Sequence, residues 1–184
     1  GTMNENNLEP TGCFYILYED LSFKKIDEGY IITNGPAFSP DYKKIYLTDT
    51  VKGKIFVSNI NENGSFNEKK LFISISPDQG KPDGMTVDEE GFLWVALFGG
   101  SCVNRYSIDG KKVDEIKLPA SCITSCTFGG SDLSTLFITS SAFKLTVEEK
   151  YKEPLAGSLF SAKLKVRGKK KNKFKFFKKN IFNN

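Results

Sequence analysis

Hydrophobic residues in this chain come in short bursts bounded by Gly, Asn, Asp and Pro, the pattern of strands and turns. The clearest case runs from Lys81 to Ala96. It predicts two strands, at 85–87 and 92–96, joined by Asp88-Glu89-Glu90-Gly91, with Gly91 free to take positive φ. Asp83-Gly84 is expected just ahead of the first strand, where a carboxylate can point out of the end of a sheet. Further strands are expected at 13–18, 23–26, 30–32, 45–48, 54–59, 69–73, 102–106, 113–118, 136–140 and 157–164. Asp27-Glu28-Gly29 is read as a break between two of them, and Asp109-Gly110 as a hairpin turn. Residues 143–155 are polar and charged and read as a loop or a short helix.

The pattern repeats. Asn34-Gly35-Pro36-Ala37-Phe38-Ser39-Pro40-Asp41 leads into Ile45-Tyr46-Leu47-Thr48, and Thr124-Ser125-Cys126-Thr127-Phe128-Gly129-Gly130 leads into Leu136-Phe137-Ile138-Thr139. Superposing Phe38, Val87 and Phe128 brings Asn34, Asp83 and Thr124 to one position, offset by 49 and 41 residues. All-strand repeats of roughly 40–50 residues indicate a β-propeller. The residues before successive inner strands would then ring one mouth of the central channel.

These motifs, with Pro82-Asp83-Gly84-Met85, Leu93-Trp94-Val95-Ala96 and an opening Gly1-Thr2-Met3, resemble the senescence marker protein-30 / gluconolactonase / luciferin-regenerating enzyme family. The resemblance implies an all-β fold, a six-bladed propeller with one divalent cation in its channel, and hydrolysis of a sugar lactone to the aldonic acid. It implies Asn34 and Asp83 as metal ligands, with Asp83 also taking a proton from the attacking water. Glu5 or Asn6, just after Gly-Thr-Met, and Thr124 are the implied substrate contacts. The cation is one of Ca²⁺, Zn²⁺, Mn²⁺ or Mg²⁺. At 184 residues the chain accommodates about four blades, an incomplete ring. About the first third of the family domain, with its other cation ligands, is expected to lie outside it. Residues 1–168 read as the partial propeller and 169–184 as a basic tail. The alternative function is a non-catalytic calcium- or ligand-binding propeller, or an interaction module.

Composition narrows the chemistry. The chain has no His, which removes Ser-His-Asp and Cys-His catalysis and all His metal ligation. Oxygen ligands remain, and these suit hard divalent ions. The net charge of +4 is local: without the seven Lys and one Arg between Arg167 and Lys179, 18 basic side chains face 22 acidic ones. That tail, with Phe174, Phe176 and Phe177 interleaved, reads as a basic edge strand with a frayed end, and neither nucleic acid nor membrane is expected as a partner. Self-association through open propeller edges is expected. Cys13, Cys102, Cys122 and Cys126 fit no zinc spacing and read as reduced thiols. No apolar run approaches ~18 residues, and the location is read as cytoplasmic.

Overall fold

The computed structural model describes residues 1–175 apart from Glu5, Asn7 and Leu8. Among these, thirteen strands form four antiparallel sheets. The first sheet pairs β1 (Gly12–Leu17) with β2 (Phe23–Tyr30). The second runs β3 (Thr33–Phe38), β4 (Lys44–Asp49), β5 (Lys54–Asn59), β6 (Lys70–Ser74), in that spatial order. The third runs β7 (Lys81–Val87), β8 (Leu93–Phe98), β9 (Cys102–Tyr106), β10 (Lys112–Lys117). The fourth is β11 (Ile123–Gly129), β12 (Thr135–Ser140) and β13 (Leu159–Lys163), with helix α1 (Val147–Lys152) between the last two. In every sheet, strands adjacent in sequence are adjacent in space and antiparallel.

The sheets stack with a core in each gap. Phe14, Tyr30, Ile45 and Leu47 fill one gap. Tyr46, Ile55, Ile73, Leu93, Val95 and Leu97 fill the next. Trp94, Ala96, Val103, Ile123, Leu136 and Ile138 fill the third. Side chains alternate across a strand, so β8 sends Leu93, Val95 and Leu97 one way and Trp94 and Ala96 the other. All five are at most 1% exposed, which places β8 inside the stack rather than at its end. β12 sends only Leu136 and Ile138 into a core, while Thr139 on its other face is exposed. This blade-on-blade packing is that of an all-β partial propeller. Its inner strands β3, β7 and β11 lie side by side, with β7 packed against both neighbours.

The turns follow their glycines: Gly91 has φ 86° and Gly110 φ 78°. Residues 147–152 take the helical alternative, with Thr146 and Glu149 closing a capping box at its start. The four cysteines are free, three of them buried.

Three expectations need correction. β2 is continuous from Phe23 to Tyr30, because Gly29 (φ 87°) is absorbed as a bulge between the pairs Gly12–Tyr30 and Cys13–Glu28. Asn34, Asp83 and Thr124 lie within β3, β7 and β11, not ahead of them. Residues 169–175 form no strand. Instead the chain after β13 crosses one end of the stack. The Glu89 N–H donates to the Arg167 carbonyl (2.8 Å), the Gly168 N–H donates to the Leu133 carbonyl (2.8 Å), and the Lys169 ammonium sits 3.9 Å from the Tyr42 ring centroid. Phe176, Phe177 and the rest of the tail lie outside the described residues.

Candidate functional site

Each inner strand carries one more residue than its partner at nearly the same place. The pairing slips between Asn34 and Ala37 in β3, between Pro82 and Met85 in β7, and between Ile123 and Ser125 in β11. A bulge bends the strand and re-aims the side chains around it. These bulges leave Asp83 and Thr124 without a register partner and begin just after the Asn34–Thr48 pair, so the three residues sit at the same end of the inner strands.

The strands approach closely there because small residues face the next blade. A Cβ on Gly35 would lie 2.5 Å from the Met85 Cε, and one on Gly84 would lie 2.2, 2.6 and 2.9 Å from the Ser125 Oγ, Cβ and Cα. Backbone cannot yield as a flexible side-chain tip can. Gly84→Ala is therefore expected to destabilise the fold by about 1–3 kcal/mol through overpacking. Urea unfolding would read the loss, and adding Ser125→Gly should recover part of it.

This approach brings Asn34 and Asp83 together. Burial pushes the Asp83 carboxyl up to about 6, while the Gly84 backbone N–H and the Asn34 side chain each pull it back down by hydrogen bonding. The Asn34 Nδ2 also donates to Thr50 Oγ1 at 3.0 Å. A carboxylate and an amide carbonyl oxygen are both hard donors of the kind that hold divalent cations. Among the described residues no three His, Cys, Asp or Glu side chains come together.

The other site residues expected from the sequence are placed differently. The Thr124 hydroxyl shares a 2.8 Å hydrogen bond with Thr139 across the β11–β12 pair, and its neighbour Ser125 makes the close contact with Gly84. Asn6 is exposed, its backbone N–H donating to Asn4 Oδ1 at 3.0 Å. Glu5 lies outside the described residues. A cleft of about 440 Å³ opens farther along β3 and β7, lined by Phe38, Tyr42, Val87 and Lys169–Lys171 among others, and Asn34, Asp83 and Thr124 take no part in it.

Asp49 holds its turn together. It is buried, accepts from the Ile31 N–H at 3.2 Å and the Lys52 N–H at 3.4 Å, and pairs with the Lys52 ammonium. Thr50, beside it, accepts from the Asn34 Nδ2. The signal for this contact lies in the hairpin, since the end of β4 returns beside the start of β3.

Antiparallel sheets of two to four strands, stacked with inner strands β3, β7 and β11 side by side, define a partial propeller. The chain belongs to the SMP-30/Gluconolactonase/LRE-like family, whose pattern matches residues 1–142. It is 35% identical over 170 residues to the putative sugar lactone lactonase YvrE of Bacillus subtilis, covering 91% of this chain and 58% of that protein. It is 38% identical over 139 residues to a 6-deoxy-6-sulfogluconolactonase of Pseudomonas putida, covering 75% and 48%. The crystal structure of the calcium-binding protein regucalcin from Agrobacterium tumefaciens superposes with a TM-score of 0.89 at 26% identity, over 95% of this chain and 59% of that one. The chain therefore spans about half the length of these relatives.

Proposed function

We propose that this chain carries the Asn34–Asp83 part of a metal-dependent sugar-lactone hydrolase, its relatives' remaining length supplying the other cation ligands. The observation that supports this most directly is the meeting of an amide and a desolvated carboxylate at the bulged ends of β3 and β7. Asn34 would offer its carbonyl oxygen and Asp83 its carboxylate to the ion. When bound, a divalent cation polarises a lactone carbonyl and acidifies water.

Asp83 would accept a proton from the attacking water. In the cation-free chain this carboxyl titrates near 6 and is mostly ionised at neutral pH, the form that can accept a proton. Ring opening adds the hydroxyl of water to the carbonyl carbon, breaks the ring C–O bond and leaves an aldonic acid. Cation binding should weaken as pH drops through about 6, where protons compete for the Asp83 carboxylate of the cation-free chain; ion titrations at about pH 5 and about pH 7.5 would check it.

A second reading is cation or ligand binding without turnover. It draws on the small number of ionisable donors gathered at the site among the described residues. One experiment separates the readings: hydrolysis of glucono-δ-lactone with Mn²⁺, Zn²⁺ or Ca²⁺, alongside direct titration of each ion, for the native chain and Asp83→Asn. Turnover abolished by Asp83→Asn supports the hydrolase. Cation binding without turnover supports the second reading. Turnover that survives Asp83→Asn overturns the catalytic role.

A further inference from the structure

The cleft along β3 and β7 has a chemistry of its own. At about 440 Å³ it falls within the ~300–1,000 Å³ usual for small-molecule sites. Its floor is apolar: Ala37, Met85 and Val87 line it and are at most 9% exposed. Phe38 and Tyr42 also line it, with ring centroids 6.4 Å apart, and both rings keep more than a third of their surface open.

The facing wall is cationic. It is formed by Lys169, Lys170 and Lys171, and the residues just before them are fastened to two blades. The Glu89 N–H donates to the Arg167 carbonyl at 2.8 Å, and the Arg167 N–H donates back to Glu89 Oε1 at 3.1 Å. The Gly168 N–H donates to the Leu133 carbonyl at 2.8 Å, and Gly168 lies so near Phe128 that an added Cβ would come within 2.1 Å of the Phe128 Cβ. From that anchor Lys169 reaches the Tyr42 ring, 3.9 Å from its centroid. Among the described residues none of the three lysines is paired with a carboxylate. Asp88 is the acid in the lining, and its carboxylate is fully buried and already accepts from Trp94 and Arg105.

We propose that this cleft binds an amphiphilic monoanion, an alkyl chain ending in a carboxylate. The chain lies on Ala37, Met85 and Val87 against the two rings, and the carboxylate meets the lysine wall. A neutral ligand would leave three like charges unanswered. A polyhydroxylated sugar would have to shed water from its hydroxyls against a floor that offers them no partner. Asn34, Asp83 and Thr124 take no part in the cleft, so this site stands or falls apart from the cation reading.

The test is calorimetric titration of the full chain with decanoate. Each buried methylene is worth ~0.8 kcal/mol, or about fourfold in affinity, so octanoate should bind about 10-fold more weakly. Decyltrimethylammonium, with the same chain and the opposite charge, should not bind. Lys170→Glu combined with Lys171→Glu should weaken decanoate by about 10-fold or more, since it removes a charge-assisted contact, and should leave the melting temperature unchanged. Phe38→Thr should also weaken it, and Tyr42→Asn carries the same comparison if Phe38→Thr does not fold. Asp83→Asn should bind decanoate as the native chain does. Equal affinity for octanoate and decanoate overturns the apolar half of the site. Equal affinity for decyltrimethylammonium overturns the charged half. Native affinity in the double lysine variant and the aromatic variant together places the ligand elsewhere and overturns the proposal. So does binding to phosphatidylglycerol vesicles without binding of decanoate, which would assign the lysines to a lipid surface.

Discussion

Replacing Asp88 with alanine is expected to cost about 3–5 kcal/mol of stability, the penalty for stranding a buried charge whose partner is removed. The side chain is fully buried in the β7–β8 turn. One oxygen accepts from the backbone N–H groups of Glu90 (3.0 Å) and Phe92 (2.9 Å). The other accepts from Trp94 Nε1 (2.9 Å) and from Arg105 Nε (2.9 Å) and Nη2 (2.7 Å). Arg105 is held against Phe92, its guanidinium carbon 4.4 Å from the ring centroid. Removing the carboxylate leaves five donors short of an acceptor, two of them on a charged guanidinium. A typical domain is stable by only ~5–15 kcal/mol, so the variant should melt far below the native chain or fail to accumulate. Glu90→Ala is the control. Glu90 also pairs with Arg105 at 2.6 Å, but its side chain is more than half exposed, and such pairs contribute about 0–1 kcal/mol. Chemical denaturation of both variants would decide it. A loss on Asp88→Ala no larger than on Glu90→Ala would show that the turn does not depend on this cluster.

The second large effect concerns Asp83 and runs in two directions. Asp83→Asn should lower lactone turnover by about 100-fold or more, the usual contribution of a general base. The same change should stabilise the cation-free chain at neutral pH. The folded-state carboxyl titrates near 6 and its reference value is 3.8. Between those values the folded protein holds a proton that the unfolded chain has released. Stability therefore falls as pH rises across that window and levels off above it. At about 1.4 kcal/mol per pKa unit, the ionised carboxylate costs the fold about 2–3 kcal/mol. Asp83→Asn removes that cost, so its advantage should be full at a pH of about 7.5 and vanish near pH 3. Urea midpoints at the two pH values would test this. An Asp83→Asn chain no more stable than the native one at the higher pH would mean that the carboxylate is better solvated than its place between β3 and β7 suggests. Stability given up at a buried polar group is a common accompaniment of function.

Much of this molecule is legible without coordinates. The run Leu93-Trp94-Val95-Ala96-Leu97 has no polar face, which demands a strand covered on both sides. In Leu136-Phe137-Ile138-Thr139 the second face carries the half-buried Phe137 and the exposed Thr139, and this sheet ends the described stack. The glycines of the hairpin turns announce themselves because only glycine takes positive φ cheaply. The equivalence of Asn34 and Asp83 comes from counting along the repeats.

Other features are out of reach for physical reasons. A bulge adds one residue to one strand, and nothing local in the sequence says which residue goes unpaired. Gly29 therefore reads as a break in β2, and Asp83 as standing ahead of β7. The course of the chain after β13 is also hidden, because its hydrogen bonds reach Glu89 and Leu133, distant in sequence. So is the contact of Thr50 with Asn34, which depends on how the end of β4 folds back over the bulge in β3.

The amino-acid sequence by itself determined the strand content, the blade repeat and the residue types available at the site, because these follow from local pattern and periodicity; the family followed from the resemblance of its motifs. The tertiary structure alone decided how the chain closes on itself: where each ladder slips, how near neighbouring blades come, and that the Asp83 carboxyl loses enough water to titrate near 6. Those properties depend on the packing of β3, β7 and β11 against one another, and no single segment carries them.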